Sequence, residues 1–328
     1  MKILFMGTPD FAAHILEKLI QSGHEMIGVV TQPDKEKGRG KNVSFPAVKE
    51  LALQYNLTLY QPVKVREESF LDIVREMAPE VIVVAAFGQL LPKALLDIPP
   101  YGCINVHASL LPKYRGAAPI QYSIIEGEKE TGVTIMYMDT KIDTGDMILQ
   151  AKTAIDDNET GGSLYDKLSV LGADLLIEAL EGLKNQTAVR IPQDDSEATY
   201  VKILDKDMGI INFDVPAVKL ERLIRGLNPW PSAYTYLDGK TLKLWQASVE
   251  SEDTFTNRDN SNQQIYRLAQ PGEIIEIRKD SFAVKTSVGV LVVKELQLEG
   301  KKRMSADAFL RGYTITVGTK LGILKSNE

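Results

Sequence analysis

The sequence predicts an α/β protein in two parts: a mostly parallel sheet covered on both faces, then a small β-barrel. Three observations carry this. Strand and helix patterns alternate over residues 1–189. The alternation stops after Lys184. Beyond it the apolar runs are short and strand-like, and turn residues such as Asp238-Gly239, Pro271-Gly272 and Gly289 separate them.

The elements follow in order. Lys2 to Met6 reads as the first strand. Thr8 is placed to cap a helix, with Pro9 at its first position and Asp10 beside its positive end. Phe11, Ile15 and Leu19, with Ala12, Leu16 and Ile20, give that helix one apolar face, and Gly23 stops it. Met26 to Thr31 is a second strand, Glu67 to Met77 a helix, and Val81 to Phe87 an unbroken apolar run of the kind a central buried strand shows. Cys103 to His107 and Thr134 to Met138 are further strands, and Ser163 to Leu183 is a long helix with Leu164, Leu168, Leu171 and Leu175 on one side. A first domain over 1–189, a polar linker over 190–208 and a second domain over 209–328 are expected. Within the second, Ala217 to Gly226 reads as a helix and Ser251 to Gln264 as a long flexible loop.

The chain has 328 residues, 44% of them hydrophobic, enough for two domains of ordinary size. "MKILFMG" runs straight into a strand, without a basic start followed by a long apolar stretch. No segment approaches the ~18 uninterrupted apolar residues of a membrane span, so a cytoplasmic protein with no membrane partner is expected. One cysteine, Cys103, excludes an intrachain disulfide, and with three histidines it excludes a thiolate-rich zinc site. A metal held by histidine and carboxylates stays open, though no H-E-x-x-H spacing exists.

Charge is uneven. From Gly209 onward 17 lysines and arginines face 14 acids, a balance of +3; the remaining 21 and 30 leave the first part at -9. A mildly basic second part is compatible with a polyanionic partner, and equally with an ordinary solvated surface. Two nucleotide motifs fail. "GTPDFA" sits where a dinucleotide fingerprint would, but carries one glycine instead of three. "KGRGKN" has a Gly-Lys, but the position five before Gly40 is Lys35 where a phosphate-binding loop needs glycine, and Asn42 stands where it needs Ser or Thr.

"GCINVHASLLPKYRGAAPIQYSI" concentrates the chemistry. Alternation along a strand puts Cys103, Asn105 and His107 on one face, the latter two toward the C-terminal end, the edge at which open parallel sheets bind ligands. The same placement would serve if both side chains only satisfied neighbouring backbone. Cys103 lies ~13 Å from His107 along a strand, too far for a nucleophile–base pair, and reads as an inert core thiol. In "MDTKIDTGDMI", Asp139, Asp143 and Asp146 fall between two apolar strands in a loop turned by Gly145. Asp139 and Asp146 read as turn formers. Asp143, the interior one, is the carboxylate placed to hold an imidazole in its charged form.

Together "ILFMGTPDFA", "QPDKEKGRGK", "VVAAFGQLLP", "INVHASLLPKYRGAAPIQYSIIEGEKETGVTIMYMDTKIDTGDMI" and "RGLNPWPSAYT" resemble the folate-dependent N-formyltransferases over nearly the whole chain. Asn-x-His, "SLLP" and the Asp element recur in members that formylate glycinamide ribonucleotide or an amino-sugar nucleotide. The "PDKEKGRGK" loop and "NPWPSAYT" point instead to the branch that formylates the α-amine of methionine on initiator tRNA. Ser232 stands where that branch is expected to carry glycine.

The resemblance implies a Rossmann-like formyltransferase domain joined to an OB-like barrel that binds tRNA. It implies 10-formyltetrahydrofolate as a consumed co-substrate, no metal, initiator methionyl-tRNA as partner, and Asn105, His107 and Asp143 as the catalytic trio; a monomer is expected. Ser109, Leu110, Leu111 and Pro112 resemble the segment that contacts the folate, with Phe87, Gly88 and Gln89 as the opposite wall. The 33–46 loop, carrying Lys35, Lys37, Arg39 and Lys41, resembles an insertion that contacts tRNA, with Arg39 and Lys41 the contacts expected. Lys301, Lys302, Arg303 and Arg311 would add phosphate contacts from the barrel.

Overall fold

The structure is a computed structural model and describes residues 1–37 and 42–322. Among these residues no helix is long and apolar enough to cross a membrane. The chain divides into two compact units. One comprises residues 1–119, 130–154 and 164–202, the other 120–129, 155–163 and 203 onward.

The chain begins with β1 (Lys2–Gly7), α1 (Asp10–Gln21) and β2 (Glu25–Val30). A short hairpin, β3 (Lys35–Lys37) with β4 (Asn42–Ser44), precedes α2 (Ala47–Gln54), β5 (Leu59–Tyr60), α3 (Glu68–Met77) and β6 (Val81–Ala85). Then come α4 (Lys93–Leu96), β7 (Cys103–His107), β8 (Arg115–Gly116), α5 (Pro119–Glu126), β9 (Glu130–Tyr137), β10 (Met147–Ala154), α6 (Gly161–Lys184) and β11 (Tyr200–Val201). Apart from α5 and the start of α6, these elements make up the first unit. Its main sheet runs β10-β9-β7-β6-β1-β2-β5. Strands β5, β2, β1, β6 and β7 are parallel, and β9 runs against both β7 and β10. The sheet is therefore mostly parallel, as the alternation of strands and helices requires.

Both faces are covered, which explains the unbroken apolar runs of the central strands. Leu4, Met6, Ile82, Val84 and Cys103 pack with Phe70, Leu71 and Val74 of α3 and Leu95 of α4. On the other face Gly172 of α6 approaches so closely that a Cβ there would lie 2.9 Å from Val106 and 3.4 Å from Val133. Helices α1 and α6 are tied by His14 Nδ1 to Ser169 Oγ at 2.9 Å and Lys18 to Asp174 at 2.7 Å.

Thr8 does not cap α1. The cap position is Pro9, without a side-chain bond. The Thr8 hydroxyl instead donates to the Phe87 carbonyl at 3.2 Å and accepts from Gln32 N at 3.4 Å. Three strand ends meet there, and their backbone groups need partners; the start of α1 has another, Phe11 N donating to Tyr165 Oη at 2.8 Å.

The segment expected as a linker joins the first unit through Lys202. Ile191 exchanges both backbone bonds with Met147, and β11 pairs in parallel with β8.

The second unit contains α7 (Ala217–Gly226), β12 (Ala233–Leu237), β13 (Lys240–Glu250), α8 (Glu252–Thr256), α9 (Asn260–Leu268), β14 (Ile274–Ile277), β15 (Phe282–Lys285), β16 (Val290–Leu298), β17 (Met304–Ser305) and α10 (Ala306–Gly312). Its antiparallel sheet runs β12-β13-β16-β15-β14, with β17 on β16. The last described residues link its edges: Ile274 N donates to Thr319 O, Leu321 N to Gly272 O and Gly322 N to Tyr236 O, each at 2.9 Å. Leu220 and Ile224 of α7 share one core with Leu242, Leu244, Leu291, Val293 and Phe309.

The loop expected over Ser251–Gln264 is instead a pair of helices. Ser251 Oγ accepts from Thr254 N and Asp259 Oδ1 from Ser261 N, so each helix start is capped. Phe255 and Tyr266 bury themselves against Ile275, Ala283 and Val292. Two apolar anchors suffice, and a polar stretch conceals them from a compositional reading.

Candidate active site

β7 places the two strand-end residues. It pairs with β6 through Val84 opposite Asn105, and with β9 through Met136 opposite Asn105 and Thr134 opposite His107. The pleat puts Asn105 and His107 on the face of Cys103. Asn105 is half-buried, and no hydrogen bond among the described residues engages its amide. His107 is 5% exposed. Its Nε2 lies 3.0 Å from the carbonyl oxygen of Tyr114. A carbonyl only accepts, so Nε2 carries the proton, and Nδ1 is the nitrogen left to gain or lose one.

Nδ1 lies 3.7 Å from Asp143 Oδ2. The loop between β9 and β10 brings this carboxylate across. Asp143 takes φ +54°, a left-handed conformation that costs a non-glycine residue about 1–3 kcal/mol unless its surroundings hold it. They do. Oδ2 accepts from Gly116 N at 2.8 Å, and the backbone carbonyl accepts from Gln193 Nε2 at 2.9 Å. Gly145 is required in this loop, because a Cβ there would sit 1.9 Å from the Tyr137 carbonyl oxygen. Asp139 forms a turn, accepting from Lys141 N and Thr144 Oγ1, while Asp146 lies 3.8 Å from Arg190.

The segments expected to meet a folate are firmly held. Ser109 Oγ donates to Lys113 O at 2.7 Å. Leu111 is 3% exposed, and its N–H donates to Thr134 Oγ1. Leu110 leans on Gly132, and Pro112 follows a cis bond. Phe87 packs in the core, Gly88 takes φ +82°, and Gln89 bonds the backbone of Val63 and Val65. The Phe87 carbonyl is taken as well, accepting from Thr8 Oγ1 and from Gln32 Nε2 at 3.1 Å. Arg39 and Lys41 lie outside the described residues.

A cavity of about 370 Å³ opens along the same strand and loop, lined by none of the three. Leu96, Gly102, Cys103, Tyr137 and Met138 line it, with Lys93, Asp97, Asp139, Thr140 and Arg190 adding polar groups. Strand β7 contributes both a wall residue, Cys103, and the pair Asn105 and His107. The β9–β10 loop likewise contributes both Asp139 and Asp143. Burial pushes the Cys103 thiol up to about 12, so it is an inert wall rather than a nucleophile. Sequence reasoning missed this wall, because its residues look like core or turn positions.

It also missed Arg115, only 1% exposed, and Gln193. Arg115 donates to Gln193 Oε1 at 3.0 Å, to Tyr200 Oη at 3.0 Å and to Asp195 Oδ1 at 2.7 Å. Arg115 and Gln193 are 78 positions apart, and no local pattern announces such a pairing.

The chain matches two family models, that of formyl transferases over residues 1–180 and that of the formyl transferase C-terminal domain over residues 203–314. It is 50% identical over 322 residues to the methionyl-tRNA formyltransferase of Lachnospira eligens, covering 98% of this chain and 100% of that one. It is 48% identical to the corresponding Clostridioides difficile protein, over 98% of this chain and 100% of that one. Among solved structures, the sugar 3N-formyl transferase WlaRD, crystallised with dTDP and 5-N-formyl-THF, superposes with a TM-score of 0.65. It covers 92% of this chain and 99% of that chain at 19% identity, a likeness of fold. The chain belongs to the methionyl-tRNA formyltransferase family.

Proposed function

We propose that this enzyme transfers the formyl group of 10-formyltetrahydrofolate to the α-amine of methionyl initiator tRNA, with Asn105, His107 and Asp143 as its catalytic residues. The observation that carries the assignment of roles is the meeting of His107 Nδ1 and Asp143 Oδ2 at 3.7 Å, at the C-terminal end of β7. The acceptor follows from full-length relatives of that name.

The amine attacks the formyl carbon, and the carbonyl oxygen becomes an oxyanion. Asn105 offers its side-chain N–H, and His107 in its imidazolium form offers Nδ1–H, since Nε2 is committed to Tyr114. Aimed donors of this kind are worth roughly 2.7–4 kcal/mol each in comparable sites. Asp143, its Oδ2 beside Nδ1, takes a proton from the attacking nitrogen, directly or through water. The bond from the formyl carbon to folate N10 then breaks, and N10 takes up a proton. The cavity walled by Leu96, Cys103 and Met138 takes the pterin ring, with the backbone of Phe87 to Gln89 and of Ser109 to Pro112 at its approaches. Arg39 and Lys41 grip the acceptor stem through phosphates.

The test is transfer of labelled formyl from 10-formyltetrahydrofolate, with methionyl initiator tRNA and an amino-sugar nucleotide as competing acceptors. Label on the tRNA alone is expected. Label on the sugar nucleotide alone would overturn the acceptor assignment.

A further inference from the structure

We propose that Gln193 is a positioning residue for formyl transfer, holding the Asp143 carboxylate against His107. The inference rests on the reading of His107 and Asp143 as the catalytic pair. Gln193 uses every polar atom of its amide. Nε2 donates to the Asp143 carbonyl at 2.9 Å and to the Gly145 carbonyl at 2.8 Å, and Oε1 accepts from Arg115 Nε at 3.0 Å. The two carbonyls can only accept and the guanidinium can only donate, so the amide has a single orientation.

The geometry closes a ring. Arg115, anchored by Asp195 and Tyr200, aims the Gln193 amide, and Gln193 pins the backbone on both sides of Thr144. Residue 116, next along the chain from Arg115, donates its N–H to Asp143 Oδ2 at 2.8 Å. One unit thus holds both the main chain and the carboxylate of a residue whose φ of +54° would otherwise relax. Gly116 itself is tightly placed, since a Cβ there would lie 2.3 Å from the Val201 carbonyl oxygen. Among the described residues, Asp143 is the carboxylate within ion-pair distance of His107. The Arg115 guanidinium is turned to Asp195 and Tyr200, and the Tyr114 carbonyl that meets Nε2 does not titrate.

Three variants of the full chain test this: Gln193→Met, Gln193→Glu and Asp143→Asn. The readouts are kcat and KM with methionyl-tRNA, and the thermal midpoint. Gln193→Glu keeps an acceptor for Arg115 but loses both donations to the loop. Gln193→Met is close in shape, uncharged, and loses everything. Both are expected to lower kcat roughly tenfold or more, as sub-ångström misplacement does. In both, KM for methionyl-tRNA should stay near its parental value while kcat falls, because Gln193 holds the catalytic loop and is not assigned a substrate contact.

A Gln193→Glu protein with parental kcat would overturn the inference. So would a fall in kcat that follows the thermal midpoint and is matched by a rise in KM, the mark of general unfolding. Should Gln193→Met fail to fold, Gln193→Glu decides by its kcat. Parental kcat in Asp143→Asn would overturn the underlying reading as well. Loss of activity there with none in Gln193→Glu would overturn the positioning role alone.

Discussion

Asp143 Oδ2 accepts the Gly116 N–H at 2.8 Å, an oxygen held by main chain before any substrate arrives. The same oxygen lies 3.7 Å from His107 Nδ1, near enough to stabilise an imidazolium and short of a direct hydrogen bond. A fixed carboxylate needs no reorganisation when charge develops, which is why such groups are effective catalysts.

Removing any member of the trio should therefore cost turnover rather than stability. Asn105→Ala, His107→Ala and Asp143→Ala are each expected to lower kcat at least ~100-fold. Steady-state kinetics beside a thermal melt checks this. A well-folded His107→Ala enzyme with near-normal formylation would remove the histidine from the mechanism.

Arg39→Ala is expected to weaken formylation of methionyl-tRNA more than it weakens folate binding. If Arg39 neutralises one phosphate, the variant also depends less steeply on salt, by about one unit of log–log slope. Equal losses for tRNA and folate would argue against a division of labour between hairpin and cavity.

The second unit carries an acid-sensitive cluster. Arg278 hydrogen-bonds Glu250 and Glu276, and Arg258 bonds the same two carboxylates. The bond from Arg278, reinforced by Arg258 against a smaller cost of burial, holds the Glu250 carboxyl below the usual range. A depressed folded-state pKa contributes stability that is present above the unfolded value of about 4.3 and fades as pH falls through the folded one. Glu250→Gln should flatten the acid limb of stability below that value. Urea midpoints measured from pH 3 to 7 would show it; an unchanged limb would mean the cluster contributes nothing.

Cys103 is 2% exposed with its thiol near 12, so a disulfide reagent at neutral pH should react slowly with the folded enzyme and at once with the unfolded chain. Rapid reaction of the native protein would mean that the cavity wall opens readily.

Periodicity and residue chemistry determined a good deal by themselves. α7 spans Ala217–Gly226, just as its apolar spacing indicates, because one helix face must meet the core every three to four residues. The period-two pleat put Asn105 and His107 together at a strand end, and the loop turned by Gly145 singled out Asp143. Such signals are local, written within a few residues of where they act.

Tertiary structure decided what depends on partners far along the chain. Thr8 gave up its helix cap for the Phe87 carbonyl, 79 positions away, while Tyr165, 154 positions from Phe11, took the helix N–H instead. Phe255 and Tyr266 turned a polar stretch into two helices only once Ile275 and Val292 were there to bury them. Gln193 met Arg115 and the Asp143 loop across separations of 48 to 78 positions, and the hydrogen bonds of a side-chain amide leave no trace in composition.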